Sequence, residues 1–288
     1  MTLLNTVRSV TYAGGRIQGK RTVRFYQMNE HRMNDKKRMT REPVEGAVIG
    51  RNAVRELLRS GRDIEKIFVK RGDREGSITE LIAKAKGRGI PVIEVDTNKL
   101  DAMSGGANHQ GIVASASSCD YGTLDDIFEN AASRGEKPLI AIADGVTDPQ
   151  NLGALIRCVD CAGAHGLIIP KRHSAGVTPA VTKSSAGAVE HVTIVRVTNL
   201  ADTVSELQRR GVWVFAAEAG GTPYYECDFT SPAAIILGSE GDGVSRLLRE
   251  RSDFTASIPM YGHVNSLNVS CAAAVLLTEA ARQQRSDK

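Results

Sequence analysis

At 288 residues the chain has room for two domains of ordinary size, each able to bury its own core. With 41% hydrophobic and 24% charged residues it has the make-up of a globular protein, which excludes a disordered or collagen-like chain, and no apolar run approaches the roughly 20 residues needed to span a bilayer. The formal net charge of +4 is uneven, because residues 1–42 hold ten Lys or Arg against three Asp or Glu, so the rest of the chain is mildly acidic.

The basic segment, set apart as residues 1–44, is read first as a solvated and disordered extension. It attracts polyanions in a second reading. Met28, Met33 and Met39 offer later starts, and the lack of any acid before Glu30 leaves a transit peptide as a further alternative. No apolar stretch near the start resembles a secretory signal. The five cysteines (Cys119, Cys158, Cys161, Cys227 and Cys271) are odd in number and read as small core hydrophobes in a reducing compartment. A cytoplasmic protein is therefore expected, with the mitochondrial matrix as the alternative.

Residues 45–118 form a first α/β unit. Ala53, Val54, Leu57 and Leu58 have helical spacing after Gly50-Arg51-Asn52, and Ser60-Gly61 stops the helix. A strand over 64–70, a helix over 77–87, a strand over 90–95, a short helix over 99–103 and a strand over 111–116 follow. No nucleophile and base stand at suggestive spacing in this unit, so it is assigned to binding. Residues 119–136 read as a connection carrying its own helix over 124–132, ending at Pro138.

From residue 137 to the end, strands are expected over 139–143, 166–169, 192–197, 212–217, 234–237 and 256–258. Helices fall between most of them, over 152–162, 177–185, 200–210 and 244–249, and a last one runs over 268–284. Apolar runs such as Ala234-Ile235-Ile236-Leu237 suit a sheet covered on both faces, so a mostly parallel sheet of six strands is expected. Neither Gly-x-Gly-x-x-Gly nor a P-loop sequence is present, which removes the usual nucleotide-binding alternatives.

Three blocks in this second unit follow strand-like runs, where open α/β sheets bind ligands. They are Asn151-x-Gly153-x-x-x-Arg157, Gly238-Ser239-Glu240-Gly241, and Ile258-Pro259-Met260 followed by Ser266-Leu267-Asn268-Val269. Their residues, order and spacing resemble the SpoU (TrmH) branch of the SPOUT RNA methyltransferases over roughly residues 45–284. Within that family the pattern looks most like the bacterial enzymes that methylate a guanosine ribose 2′-hydroxyl in large-subunit ribosomal RNA. The resemblance implies S-adenosylmethionine as cofactor, an L30e-like RNA-binding fold for the first unit, a trefoil knot in the C-terminal part of the second, and a homodimer. Neither membrane nor metal is implied.

Site residues follow from the same resemblance, each against a plainer alternative. Gly238, Ile258 and Leu267 are assigned to the cofactor, although Gly238 alone would read as a strand-terminal turn. Arg157 is the leading catalytic residue. The family casts it as a general base, yet a guanidinium with a pKa above about 12 does not normally deprotonate. A clamp on the neighbouring phosphate that stabilises the developing alkoxide suits it better, with the proton acceptor still to be identified. Glu240 either orients Arg157 or takes the proton itself, against a surface carboxylate in a polar turn.

Asn151, Ser266 and Asn268 join the catalytic set, with helix capping as the competing role. Arg51, Asn52, His109 and Lys183 are assigned to RNA, His109 against a loop histidine that only caps backbone. Cys158, Cys161 and His165 share helical spacing, but the missing fourth ligand favours packing over a metal. Two rivals complete the reading: a transfer RNA or resistance-type ribosomal RNA ribose methyltransferase, and a non-catalytic RNA-binding assembly factor on the same fold.

Overall fold

The computed structural model describes residues 43–72, 76–239 and 241–286. The basic segment over 1–42 and Glu240 lie outside them, so the readings attached to those residues have no structural counterpart here.

The first unit is a four-stranded sheet ordered β1 (Ala47–Ile49), β4 (Ile112–Ala116), β2 (Ile64–Lys70) and β3 (Val92–Val95). The β1–β4 and β4–β2 pairs are antiparallel, and β2–β3 is parallel. Helices α1 (Arg51–Arg59) and α2 (Ser77–Gly87) bury Val54, Leu57, Leu58, Ile78, Leu81 and Ile82 against Ile67, Val69, Ile112 and Ala114 of the sheet. A short helix, α3 (Thr97–Met103), adds Leu100. Strand β1 had no sequence signal, since three residues are too few to show an alternation.

The second sheet is six-stranded and parallel throughout, ordered β10 (Phe254–Ser257), β8 (Trp213–Pro223), β9 (Ala233–Leu237), β5 (Leu139–Ala143), β6 (Gly166–Pro170) and β7 (Ile194–Val197). Side chains alternate across a strand, and here both sets are apolar. Leu139, Ala141, Ala143, Ile235 and Leu237 face one core, while Ile140, Ile142, Ala234 and Ile236 face another. On the first face lie α5 (Pro149–Ala162), α6 (Pro179–Ser184) and α9 (Val269–Ser286). On the second lie α4 (Leu124–Ser133), α7 (Leu200–Arg209) and α8 (Arg246–Arg251).

The two sheets are joined through a buried polar cluster. Glu65 of β2 and Arg196 of β7 form an ion pair at 3.2 Å, with side chains 2% and 8% exposed. Arg196 also donates to the carbonyls of Ile64 and Glu65 at 3.2 and 3.0 Å. The Tyr121 hydroxyl donates to Glu65 Oε1 at 2.5 Å and accepts from the Val177 amide at 3.0 Å. Burial, then the Glu65 charge, pushes the Tyr121 phenol well above its usual range. Gly176 has to be a glycine, because a Cβ there would lie 1.7 Å from Glu65 Oε2.

The cysteines depart from expectation. Cys227 is buried and Cys119 and Cys158 are half-buried, but Cys161 and Cys271 are exposed. Cys161 and Cys271 lie on α5 and α9, core helices that each also carry exposed positions, so membership of a core element did not imply burial. Burial pushes the Cys119 thiol up to about 11, so it behaves as an inert packing group. Among the described residues, no helix is long and apolar enough to cross a membrane.

Candidate active site

The middle of β8 and the carboxyl ends of β9 and β10 open into a cleft of about 370 Å³, closed on one side by the start of α9. Its walls include Leu237, Ile258, Leu267 and Leu276, with Gly238 and Ser266 at the rim. Gly238, Ile258 and Leu267, assigned together from sequence, thus share one cavity. Volume and composition suit a small organic ligand.

Gly238 also meets the plainer reading, because a Cβ on it would sit 2.0 Å from the Gly243 carbonyl carbon. Backbone bonds in both directions between Ser239 and Gly243, at 3.2 and 3.0 Å, draw the chain back on itself at this point. The following turn is anchored from the residue just after β5, where Asp144 Oδ2 accepts from the Ser245 amide at 2.7 Å. A glycine whose missing side chain permits this approach leaves backbone, not bulk, facing the cleft.

The first turn of α5 carries Asn151. Its cap is Asp148, whose Oδ1 accepts from the amides of Gln150 and Asn151 at 2.7 and 3.0 Å, with Pro149 at the first helical position. Asn151 is therefore not the cap, and its side chain is committed elsewhere: Oδ1 accepts from Asn268 Nδ2 at 2.9 Å. The Asn268 amide is oriented by the other bonds it makes. Its Oδ1 accepts from the Ser270 amide at 2.9 Å and the Ser270 hydroxyl at 2.5 Å, so Nδ2 must point at Asn151. Asn268 is the cap of α9, and Ser266, weighed for that role, lies two residues earlier on exposed chain beside the cleft.

Arg157 is exposed on α5. Its neighbour Cys158 donates from Sγ to the Ser270 carbonyl at 3.3 Å, so this helix runs along the first turn of α9. Gly153 of the same motif is an approach point, since a Cβ there would meet Ser184 Oγ of α6 at 1.8 Å. The structure thus brings Asn151 and Asn268 into contact and keeps Arg157 on the same helix pair.

The residues assigned to RNA divide. Arg51 is committed internally, donating from Nε to the Gln110 carbonyl at 3.0 Å, and its amide bonds Gln110 Oε1 at 3.3 Å. His109 is 12% exposed at its side chain; Nδ1 accepts from the Gly111 amide at 3.0 Å and Nε2 faces Asp101 Oδ1 at 3.2 Å. The backbone-capping role is the one its geometry displays. Asn52 is exposed and accepts from Arg55 at 2.9 Å, and Lys183 is exposed on α6.

Helix α5 ends at Ala162 on a left-handed Gly163, so His165 does not continue the face of Cys158 and Cys161. It is buried, with Nδ1 accepting from the Leu139 amide at 3.0 Å and Nε2 donating to Glu136 at 3.1 Å. Burial holds its pKa below the ordinary histidine value. Among the cleft residues that escaped the sequence reading are Glu218, on the continuation of β8, and Gly243. The only signal for Glu218 was a carboxylate directly after the apolar run Val214-Phe215-Ala216-Ala217.

Comparison with known proteins gives this geometry a lineage. Residues 138–278 match the SpoU rRNA Methylase family, and residues 47–122 match the RNA 2′-O ribose methyltransferase substrate-binding family. A Bacillus subtilis (strain 168) protein named as a TrmH family tRNA/rRNA methyltransferase is 42% identical over 82% of this chain and 95% of its own length. Among solved structures, the SpoU methyltransferase AviRb from Streptomyces viridochromogenes in complex with AdoMet is 27% identical, with a TM-score of 0.53 over 83% of this chain and 90% of that one. An AdoMet-bound rRNA methyltransferase from Sinorhizobium meliloti is 26% identical, with a TM-score of 0.52 over 88% and 90%. The chain belongs to the SpoU (TrmH) family of S-adenosylmethionine-dependent RNA methyltransferases.

Proposed function

We propose that the protein methylates a ribose 2′-hydroxyl, that of a guanosine in large-subunit ribosomal RNA. The observation that carries the reading is the joining of two separated motif blocks by the Asn151–Asn268 bond at 2.9 Å, beside a cleft lined by Gly238, Ile258 and Leu267. Gly238 presents backbone, Ile258 and Leu267 present apolar surface, and together they would hold S-adenosylmethionine with water excluded. When bound, the cofactor supplies an electrophilic methyl for an in-line displacement, so most of what the chain contributes is positioning.

A 2′-hydroxyl is a weak nucleophile until its developing charge is stabilised. Arg157 would fulfil that role, its fork gripping the adjacent phosphate and the nascent alkoxide. Glu240 would orient that fork or accept the proton. Asn268, fixed by Ser270, would keep Asn151 turned toward the target ribose, with Ser266 at the mouth of the cleft.

With an RNA-binding domain over 45–118, a connection over 119–136 and a methyltransferase domain over 137–288, Asn52 of the first domain and Lys183 of the second would contact RNA directly. Arg51 and His109 would shape the loop at Gln110 that faces it. The family's trefoil knot and homodimer belong to the same reading, as does action in the cytoplasm. Transfer RNA is the second substrate reading, favoured by the B. subtilis relative, whose name includes both RNA classes. A mass-spectrometric survey of 2′-O-methyl sites in ribosomal and transfer RNA, with and without the protein, separates them. Loss of one ribosomal guanosine mark is expected; loss of a transfer RNA mark alone overturns the substrate assignment, and no lost mark supports a binding-only protein.

A further inference from the structure

Glu218 stands on β8 just beyond its last pairing with β9, Ala216 with Ile236, and its side chain lines the cleft. Its Oε2 atom is fully buried and receives no hydrogen bond. The cation nearest to it, Arg249 Nη1 of α8, is 3.7 Å away, beyond hydrogen-bond reach. Gly243, at φ +67, leaves the carboxylate its space, because a Cβ there would come to 3.3 Å from Oε2. A buried acceptor left without a donor is costly. The Glu218 side chain as a whole is 25% exposed and lines the cleft wall, so a ligand seated there can bring the donor once the carboxylate turns toward it.

We infer that Glu218 accepts a hydrogen bond from a ribose hydroxyl of the methyl donor's adenosine, an inference that rests on assigning this cleft to S-adenosylmethionine. The donor molecule offers two kinds of partner for a carboxylate, its α-ammonium and its ribose hydroxyls. The guanidinium of Arg249 already faces Oε2 and would repel an ammonium, whereas a neutral hydroxyl adds no charge. Apolar Leu237, Ile258 and Leu276 of the same cleft suit the adenine attached to that ribose, not the zwitterionic amino-acid end. An acidic side chain at the end of a parallel strand serves the ribose in dinucleotide-binding sheets by the same chemistry.

The test is calorimetric titration of the full chain and its Glu218→Ala and Glu218→Gln variants. The probes are S-adenosylhomocysteine, 5′-methylthioadenosine, which lacks the amino-acid end, and the 2′,3′-dideoxy form of S-adenosylhomocysteine. The inference predicts that Glu218→Ala weakens both ribose-bearing probes by about tenfold or more. Glu218→Gln, which keeps a carbonyl acceptor, should lose less, and the dideoxy probe should bind wild type and variants alike. Without ligand, the Gln variant should melt close to wild type, because Oε2 has no hydrogen bond to lose.

Unchanged affinity for S-adenosylhomocysteine in the Ala variant overturns the inference. So does a loss confined to S-adenosylhomocysteine with 5′-methylthioadenosine unaffected, which would place the carboxylate at the amino-acid end. Failure of wild type to bind any probe would instead remove the cleft assignment itself. Should the Ala variant not fold, discrimination between normal and dideoxy probes that is smaller in the Gln variant than in wild type supports the inference, and equal discrimination by the two, or none in wild type, overturns it.

Discussion

Replacing Arg196 by Met should be among the most damaging single changes outside the cleft. The substitution removes a guanidinium that pairs with Glu65 at 3.2 Å and donates to the Ile64 and Glu65 carbonyls. It leaves a carboxylate only 2% exposed, with the Tyr121 hydroxyl as its remaining donor. An uncompensated charge in such a place costs about 3–5 kcal/mol, far more than the pair itself contributes. Glu65→Met combined with Arg196→Met removes the stranded charge, and should therefore recover all but about 1–2 kcal/mol of the loss. Equilibrium urea unfolding of wild type, both single variants and the double variant reads the coupling directly. A cost below about 1 kcal/mol for Arg196→Met, or a double variant as unstable as the sum of the singles, would refute the view that this ion pair is a buried and interdependent unit.

Asn268→Asp keeps the cap acceptor for Ser270 but loses the donor to Asn151; stability should stay within about 1 kcal/mol of wild type while methyl transfer falls, as single-turnover assays with intact folding controls would show. Equal activity would mean that the Asn151 contact is structural only. Gly153→Ala forces a Cβ to 1.8 Å from Ser184 Oγ, and overpacking of this kind should cost about 1–3 kcal/mol in thermal or urea unfolding; an unchanged midpoint would show that α6 yields freely. Arg157→Lys keeps the charge and loses the planar fork, so kcat on RNA should fall sharply with cofactor affinity unchanged; near-normal turnover would end the clamp role. His165 is held neutral by burial, its folded pKa below the unfolded one, so its contribution is fully present above the unfolded value and is lost as pH falls through that value toward the folded one. Stability should therefore drop as solutions are acidified below about pH 6.5, and His165→Gln should flatten that slope; parallel wild-type and variant curves would contradict it.

Much of this was legible in the chain because burial on both faces writes itself into a parallel strand. The runs at Leu139–Ala143 and Ala233–Leu237 needed no structure to be found. Long helices were legible too, to within a few residues at their ends. Strand β8 was foreshortened: it continues to Pro223 past Gly220 and Gly221, residues with no strand propensity, because Thr222 and Pro223 pair with Ala256 and Ser257 of β10 beyond a register shift. Glu218 lies on that continuation and was missed with it.

Capping was the other failure. Ser266, Asn268, Asn151 and Asp148 are all good caps by composition, and only the observed bonds show that Asp148 and Asn268 serve while Asn151 faces across to Asn268. His109 and Arg51 were assigned to RNA through the family resemblance, with backbone capping as the alternative for His109. Nothing local announces that their partners are Gly111, Asp101 and Gln110.

The most direct measurement is nucleoside analysis after transfer of an isotope-labelled methyl from S-adenosylmethionine to ribosomal RNA by the purified protein. The account predicts label in one ribose-methylated guanosine, within an alkali-resistant dinucleotide, and none with Arg157→Ala. Label on a base, or an Arg157→Ala variant as active as wild type, would contradict it.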